Sequence, residues 1–317
     1  MAGLGQLMNA VQYSAYGGGP DGLQHVEVPV PTPKKNEVLL KVEALKKFLV
    51  GAASDVAGEV IEVGPEVKNF KAGDKVVAMG NVLNGGGLAE FAVTNESLTV
   101  ARLPQLSAAE VVGLSIAGLT AHQAVTQAAG IKLDGNGKKA NILITAASGG
   151  VGHYAVQLAK LGNAHVTATC GARNIQLVKS LGADEVLDYK TPDGAALRSP
   201  SGQKYDAVIH CAIGIPWSTF EPNLSPNGKV IDITPGPSAF LTFALKKVTF
   251  SKKQLLPLLL IPKGENLQYL VNLVKEGKLK TVIDSKYPLA KARDAWAKSI
   301  DGHATGKIIV EPVEKLN

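Results

Sequence analysis

A glycine-rich turn between an apolar run and a helical pattern constrains this chain more than any other feature. Residues 141–145 form a short apolar run, residues 146–152 read Ala-Ala-Ser-Gly-Gly-Val-Gly, and residues 151–161 have helical spacing. Glycines let a backbone approach a pyrophosphate, and the N-terminus of the following helix offers N–H donors and a positive dipole. The arrangement favours a dinucleotide site, although Ala147 replaces the first glycine of the usual G-x-G-x-x-G pattern and a plain tight turn is the alternative.

Two different patterns flank this turn. The first third of the chain has short strand-like stretches separated by glycine and proline turns, which predicts a small barrel. Beyond the turn, strands and helices alternate in units of about 30 residues, which is typical of a parallel doubly wound sheet. The predicted elements after the turn are strands at 165–169, 186–187, 207–210 and 229–233, helices at 174–181 and 265–276, and tail strands at 281–283 and 307–310.

Length and composition agree with two globular domains. A chain of 317 residues exceeds one domain of about 150 residues, and 45% hydrophobic with 19% charged residues excludes disorder. The two cysteines, Cys170 and Cys211, cannot build a four-cysteine zinc site or a disulfide framework, so we expect a reducing compartment. The sequence has no apolar run of roughly 18 residues and no charged residue before Asp21, so we expect neither a membrane span nor a secretory signal.

The end of the second predicted strand bears on the choice of cofactor. An NAD site usually places Asp or Glu there to bind the ribose hydroxyls. This chain instead reads Thr-Cys-Gly-Ala-Arg at 169–173, without an acid. Arg173 can pair with a 2′-phosphate that a carboxylate would repel, so the sequence favours NADPH. The alternative is that Arg173 only begins a surface helix.

Charge and apolar residues concentrate in the last third. The net charge is +6, and residues 246–280 carry eight lysines against two glutamates. Such a stripe can bind anionic lipid, nucleic acid or a phosphorylated ligand, or it can be an ordinary solvated surface. The apolar stretch 239–261 predicts either a wide mouth for a long-chain substrate or a dimer strand with core packing.

Several motifs are spread over nearly the whole chain. They are Ala-Gly-Leu-Thr-Ala at 117–121, the run 146–160, the segments 55–64 and 70–76, and Gly-Leu-Ala-Glu-Phe at 87–91. Together they resemble the zinc-independent quinone oxidoreductase branch of the medium-chain dehydrogenase/reductases. The resemblance implies an α/β fold with a GroES-like β-barrel domain at 1–117 and 279–317, a Rossmann doubly wound parallel-sheet domain at 118–278, and a cleft between them.

The same resemblance implies an activity. It implies NADPH-dependent reduction of the carbon–carbon double bond of enones and enals, including oxidised fatty-acid ketones, by direct hydride transfer without a metal. Quinone reduction at the same site is the alternative. A lipid- or RNA-binding role of the basic stripe is the weaker one, and no nucleic acid is expected because a recognisable RNA-binding aromatic motif is lacking.

Location and assembly also follow from the resemblance. Plant members imply a protein bound peripherally to the inner chloroplast envelope, with possible contact to anionic lipid, whereas the sequence alone predicts a soluble intracellular protein. A monomer or a homodimer is expected.

Cofactor-binding residues carry over where the motifs match. The alternative for Tyr189 is an ordinary half-buried tyrosine, and Lys307 could equally be a surface residue on the last strand. The resemblance implies Ser148, Gly149, Gly150 and Val151 at the pyrophosphate, Cys170, Gly171, Arg173 and Tyr189 around the 2′-phosphate, Cys211, Ala212 and Ile213 beside adenine and ribose, Ile233 and Thr234 on the next strand end, Thr120 near the nicotinamide and Lys307 near the cleft.

No catalytic residue and no metal ligand are assigned. The barrel part lacks a cysteine, Ser54-Asp55 replaces the His-Glu pair of zinc-dependent relatives, and the six histidines show no metal spacing. One departure from the family concerns residues 45–54, where relatives carry a longer segment with an Asn-Pro-x-Asp motif. Either this is a deletion or the sequence omits a loop; the good match on both flanks favours omission.

Overall fold

The computed structural model describes residues 6–13, 18–47, 53–80, 88–137 and 139–312. The chain divides into two compact units, Met1–Leu119 with Pro262–Asn317, and Thr120–Ile261. The strands of the described residues are β1 (Leu7–Tyr13), β2 (Leu23–Pro29), β3 (Glu37–Lys47), β4 (Ala53–Val63), β5 (Lys75–Gly80), β6 (Phe91–Ala101), β7 (Asn141–Ile144), β8 (His165–Cys170), β9 (Glu185–Asp188), β10 (Tyr205–His210), β11 (Leu224–Asp232), β12 (Gln254–Pro257), β13 (Ile283–Pro288) and β14 (Lys307–Glu311).

Helices connect most of the later strands. The α-helices of the described residues are α1 (Ala108–Val111), α2 (Ala117–Gln123), α3 (Gly152–Leu161), α4 (Ile175–Ser180), α5 (Pro192–Ala195), α6 (Trp217–Phe220), α7 (Pro237–Val248), α8 (Gly264–Lys275) and α9 (Ala292–Ile300). In the described part of the chain, no helix is long and apolar enough to span a membrane.

The discontinuous unit contains the predicted barrel. Strands β3 to β6 pair antiparallel in sequence order, and β6 also pairs with β3, which closes the sheet. Alternate residues of β3, namely Val38, Leu40 and Val42, enter one hydrophobic core because successive side chains of a strand point to opposite faces. β14 extends the sheet from β3, and β13 pairs parallel with β14. The GroES-like barrel prediction is confirmed.

The contiguous unit is a parallel sheet with the strand order β12-β11-β10-β7-β8-β9. All neighbours in this order pair parallel. Ile142, Leu143 and Ile144 of β7 are buried, as expected for a central strand whose two faces are both covered. The strand order reverses between β7 and β10, which is where ligands bind in folds of this type. The doubly wound prediction is confirmed.

Helix α8 belongs to the barrel unit, whereas the sequence-based boundaries place it in the dinucleotide-binding domain. A Cβ on Gly264, at its start, would lie 2.6 Å from the Ser97 carbonyl oxygen, and a Cβ on Gly118 would lie 3.3 Å from the Leu270 side chain. α8 therefore packs against β6 at Ser97 and against α2 at Gly118. The strand predicted at 281–283 begins instead at Ile283, the first residue of β13.

The departure at residues 45–54 falls on a strand pair. β3 and β4 run antiparallel up to the pair of Lys47 with Ala53. Both flanks therefore belong to one antiparallel strand pair, and residues 48–52, the middle of the segment 45–54 in which the shortening is expected, lie outside the described residues.

Candidate functional site

The glycine turn brings helix α3 into close contact with the end of β7. A Cβ on Gly152 would collide with the Ala146 carbonyl oxygen and stand 2.7 Å from the Ala147 Cα, so this position requires glycine. The left-handed residue of the turn is Ala146, with φ +47°. Ala147 is buried and its N–H donates to the Thr169 carbonyl at 2.8 Å. The alanine in place of the first glycine is therefore compatible with the turn.

A side chain of α3 itself stabilises the first turn of this helix. The N-cap residue Val151 provides no side-chain cap. Next to it, the Nδ1 atom of the buried His153 lies 2.7 Å from the Gly149 carbonyl oxygen. His153 thus stands at the start of the helix, and its ring fixes the carbonyl of Gly149. The helix N-terminus carries the partial positive charge that favours an anion.

The end of β8 lies beside this turn. Asn174 Nδ2 donates a hydrogen bond of 3.0 Å to Ser148 Oγ, which ties the glycine turn to the segment that carries the exposed Arg173. A Cβ on Gly171 would lie 3.5 Å from the Tyr189 ring. Tyr189 is 47% exposed, so its ring is open to a ligand at this edge. The structure thus brings together the residues predicted for the pyrophosphate and the 2′-phosphate.

Both cysteines of the predicted site are held as thiols. Burial, together with the charge of Asp188, raises the pKa of Cys170 to about 11. Burial, together with the charge of Asp232, raises the pKa of Cys211 to about 12. Since the thiolate is the nucleophile, neither side chain is reactive at neutral pH. These two positions can serve a cofactor only through their backbone or as packing.

The segments that follow β10 and β11 are fixed by side chains of the strands. Thr145 Oγ, just after β7, accepts hydrogen bonds from the N–H groups of Cys211 (2.9 Å) and Ala212 (3.2 Å). Asp232 Oδ1 accepts a hydrogen bond from the Thr234 N–H at 3.0 Å. Both segments lie at the carboxyl ends of parallel strands, next to the point where the strand order reverses.

The remaining predicted residues have different surroundings. Ile213 is 83% exposed, an unusual state for isoleucine beside a buried strand end. Ile233 follows β11, and its N–H donates to the His210 carbonyl at 3.3 Å. Thr120 is buried within α2.

Lys307 lies in the barrel unit and is 0% exposed, so the alternative of a surface residue is wrong. Its Nζ atom stands 3.9 Å from Oδ2 of the buried Asp55. Asp55 is one of the residues that replace the His-Glu pair of the zinc-dependent relatives. A buried acid and a buried base at this distance neutralise each other's charge within the barrel.

Sequence reasoning missed four polar residues that support the site: Thr145, Asn174, His210 and Asp232. Three of them stand at or just after the carboxyl end of a buried strand, where the fold places its ligand-facing groups. A polar residue that ends an apolar run was the signal available in the sequence. Among the described residues, no group of three or more His, Cys, Asp or Glu could hold a metal ion.

The apolar stretch 239–261 forms α7 and β12, and it is partly core and partly exposed. Ala239 and Leu255 join a hydrophobic core cluster. Another set of side chains is exposed, and we call this set the α7 surface: Leu241, Leu245, Val248 and Phe250.

An open depression of about 670 Å³ borders the α7 surface. Phe250 is 92% exposed there, and its φ of +51° is rare for an aromatic residue.

The basic stripe divides between the units: Lys246, Lys247, Lys252 and Lys253 lie in the contiguous unit, and Lys263, Lys275, Lys278 and Lys280 in the barrel unit.

The chain matches two families and a set of plant proteins. Residues 34–105 match the family described as alcohol dehydrogenase GroES-like domain, and residues 181–310 the family described as zinc-binding dehydrogenase. The chain is 71% identical to the chloroplast envelope quinone oxidoreductase homolog of Arabidopsis thaliana, over 97% of this chain and 99% of that protein. It is 65% identical to the chloroplastic quinone-oxidoreductase homolog of Spinacia oleracea, over the same shares.

The Arabidopsis alignment spans 327 positions, more than the 317 residues of this chain, so positions of that relative have no counterpart here. A more distant relative, 30% identical over 98% of this chain and 81% of its own length, is the chloroplastic NADPH-dependent alkenal/one oxidoreductase of Arabidopsis thaliana. Among solved structures, the quinone oxidoreductase from Coxiella burnetii is similar with a TM-score of 0.87 and 30% identity, covering 97% of this chain and all of that one.

Proposed function

Because this chain belongs to the quinone oxidoreductase branch of the medium-chain dehydrogenase/reductase superfamily, we propose that it is an NADPH-dependent reductase of the carbon–carbon double bond in enones and enals. That it is a nicotinamide-dependent oxidoreductase follows from the family. The preference for NADPH and the enone substrate go beyond the family assignment and are the content of the proposal.

One observation carries the cofactor proposal: a glycine turn that opens α3 lies next to a strand end without a carboxylate. Gly152 lets α3 pack closely on the turn, and the N–H groups and partial positive charge of the helix N-terminus suit a pyrophosphate. The end of β8 presents Cys170, Gly171 and then the exposed Arg173. A guanidinium binds the 2′-phosphate of NADPH in a charge-assisted, bidentate contact, whereas NADH lacks that group.

The residues of this chain bind and orient the reactants. When bound, NADPH supplies a hydride, which adds to the β-carbon of the unsaturated carbonyl. The glycine turn holds the pyrophosphate, and the exposed Ile213 offers an apolar surface to the adenine ring. Cys170 and Cys211 remain thiols because burial raises the pKa of each. They therefore do not add to an electrophilic enone, and the proton for the α-carbon comes from water.

The activity is tested by following NADPH and NADH consumption with a short enone, a long-chain oxidised fatty-acid enone and a quinone. We expect stoichiometric reduction of an enone with NADPH, and deuterium from the labelled cofactor at the β-carbon. A faster reaction with longer chains would locate an apolar mouth. Absence of deuterium at the β-carbon would contradict direct hydride transfer.

Arg173 is tested by Arg173→Ala with Arg198→Ala as the matched control. Both arginines are exposed and lie in the contiguous unit, but Arg198 pairs with Asp193 and does not directly follow β8 in the chain. We expect Arg173→Ala to raise the KM for NADPH by about tenfold or more and to leave the KM for NADH unchanged, because a charge-assisted bond is worth about 1.5–3 kcal/mol. An equal change for both cofactors would contradict the assignment.

Quinone reduction at the same site is the second candidate. It is favoured by the names of the relatives, which include the 71% identical quinone oxidoreductase homolog and the quinone oxidoreductase from Coxiella burnetii. The two reactions differ in product, since a quinone can accept electrons singly. Detection of a semiquinone radical during turnover, without reduction of any enone, would decide for this candidate.

The proposed location of the enzyme is the chloroplast envelope, where it contacts anionic lipid peripherally. Three of the most similar relatives are named chloroplastic or chloroplast envelope proteins. The exposed apolar side chains of the α7 surface have the exposed Lys247 and Lys252 as neighbours in the chain, a composition that suits the boundary of an anionic bilayer.

The lipid contact is tested by sedimentation with anionic and with neutral vesicles. We expect salt-sensitive binding to the anionic vesicles, which Leu241→Ser with Leu245→Ser removes. A homodimer that covers the α7 surface is the competing arrangement. Light scattering would then give twice the chain mass for the wild type and half of that value for the double variant.

A further inference from the structure

Three polar side chains meet where the strand order reverses. Thr145 follows β7, His210 ends β10 and Asp232 ends β11, and all three are buried. The His210 ring also lies edge-on to Phe220, with ring centroids 4.9 Å apart. The sequence separates Thr145 from His210 by 65 positions, so only the parallel pairing of β7 with β10 brings them together.

The hydrogen bonds at Thr145 determine where the protons lie. Its Oγ accepts the N–H groups of Cys211 and Ala212, at 2.9 and 3.2 Å, and it stands 3.0 Å from His210 Nδ1. A hydroxyl has two lone pairs and one proton. Since both lone pairs are occupied, the O–H group donates to Nδ1. His210 must therefore accept at Nδ1 and carry its proton on Nε2.

This arrangement requires a neutral imidazole. A proton on Nδ1 would meet an oxygen whose lone pairs are already used, so one of the two backbone N–H groups would have to be released. Burial lowers the pKa of His210, and the neighbouring Asp232 opposes that effect to a smaller degree. The environment of the ring is thus consistent with the acceptor role that the geometry requires.

We propose that Thr145 and His210 are positioning residues that fix the backbone of Cys211 and Ala212, and with it the direction of the exposed Ile213, for the adenine end of the cofactor. This inference rests on the proposed function, because the family resemblance places this segment beside adenine and ribose. His210 acts through Thr145: it orients the hydroxyl, and the hydroxyl holds the two amides.

The decisive variants are Thr145→Val, which replaces the hydroxyl with a methyl group of similar size, and Thr145→Ser, which keeps it. Thr167→Val is the matched control, since Thr167 is also a buried threonine of this sheet whose hydroxyl donates a hydrogen bond, at 2.9 Å to Glu185. If Thr145→Val fails to fold, His210→Leu removes the acceptor and His210→Asn retains one near the position of Nδ1.

The first readout needs no cofactor. Selective ¹⁵N-cysteine labelling gives two backbone signals, because the chain has two cysteines, and Cys170, the last residue of β8, is the internal reference. We expect Thr145→Val to speed hydrogen exchange of the Cys211 amide about tenfold relative to Cys170, and Thr145→Ser to change it by less than about twofold. ¹⁵N-histidine labelling should show His210 protonated at Nε2.

The second readout is NADPH binding by fluorescence titration together with steady-state kinetics. Thr145→Val should raise the Kd and KM for NADPH about tenfold with kcat nearly unchanged. Thr145→Ser, which keeps the hydroxyl, should leave the Kd and the KM close to the wild-type values. Equal exchange rates and KM values in Thr145→Val and Thr167→Val would overturn the positioning role. Absence of NADPH binding by the wild type would overturn the proposed function, whereas the cysteine exchange tests the Thr145 hydrogen bonds independently.

Discussion

Gly152 shows how a single backbone position controls the candidate site. A Cβ there would collide with the Ala146 carbonyl, which is backbone and cannot rotate away. We expect Gly152→Ala to lower the free energy of unfolding by about 1–3 kcal/mol, because the overlap forces α3 away from the turn. NADPH affinity should fall with it. Urea unfolding and cofactor titration measure both effects.

The control for this prediction is Gly137→Ala, in the same unit. The nearest atom to a Cβ on Gly137 is the Lys132 backbone nitrogen at 4.0 Å, so the added methyl group makes only an ordinary van der Waals contact. Unfolding free energies that change equally in the two variants would mean that the close approach of α3 is not what makes glycine necessary at position 152.

The two thiols permit a chemical prediction at the residue scale. Burial raises the pKa of Cys170 from the ordinary value of 9.0 to about 11. The thiolate fraction at neutral pH, and hence the rate of alkylation, should be about a hundredfold below that of an exposed cysteine. Mass spectrometry after exposure to a short enal at pH 7.5, with glutathione as the reference nucleophile, checks this. Alkylation of Cys170 as fast as glutathione would contradict it.

At the scale of elements, the sequence predicts most strands and helices because periodicity reflects burial. In β3 the alternate residues Val38, Leu40 and Val42 enter one core, and β7 is a continuous apolar run in a sheet covered on both faces. The assignment of α8 could not be predicted in the same way. Its helical pattern fixes the helix, but the contacts at Gly264 that group it with the barrel unit come from distant parts of the chain.

In the candidate site too, local sequence patterns predict some residues, whereas contacts between distant residues could not be predicted. The glycine turn and Arg173 are local patterns, so the sequence could identify them. The bond from Asn174 to Ser148 and the pairing of Thr145 with His210 join residues on different strands or turns. Only the strand order makes them neighbours. The burial of Lys307 has the same cause, because Asp55 lies on another strand of the barrel sheet.

The start of α1 offers a prediction for one element. Ser107 Oγ accepts the Glu110 N–H, and the Glu110 carboxylate accepts the Ser107 N–H at 2.7 Å, which forms a capping box. We expect Ser107→Ala to lower the free energy of unfolding by about 1 kcal/mol, while Ser107→Thr retains the cap. Urea denaturation of the two variants measures the difference. Equal losses in both would show that the hydroxyl does not stabilise the helix start.

At the scale of the whole molecule, the length of the chain already predicts two domains, but their boundaries depend on packing. The contiguous unit Thr120–Ile261 is inserted between two stretches that together form the barrel unit. The sequence around residue 262 does not reveal the boundary between the units, because α8 is amphipathic and a helix packed on a parallel sheet would be amphipathic too. The division therefore depends on which elements each helix packs against, β6 in the case of α8, and this is a property of the folded chain.

The stability of the whole molecule should depend on pH through two buried histidines. Burial lowers the pKa of His122 and of His210 below the ordinary value of 6.5. Below pH 6.5 the unfolded chain therefore binds more protons than the folded one, so the free energy of unfolding should fall as the pH decreases. Hydrogen bonds lower the pKa of Asp184 and Glu185, which adds a further loss below the ordinary carboxyl range, near pH 4.

Urea unfolding at pH 7.5, 6.5 and 5.5 separates the two groups, since the carboxylates stay ionised over this range. His210→Asn removes one titrating ring, so its free energy of unfolding should fall less between pH 7.5 and 5.5 than that of the wild type. A wild-type value that stays constant over this interval would mean that both rings can be protonated in the folded chain without cost. His210 could then not be the obligatory acceptor that orients the Thr145 hydroxyl.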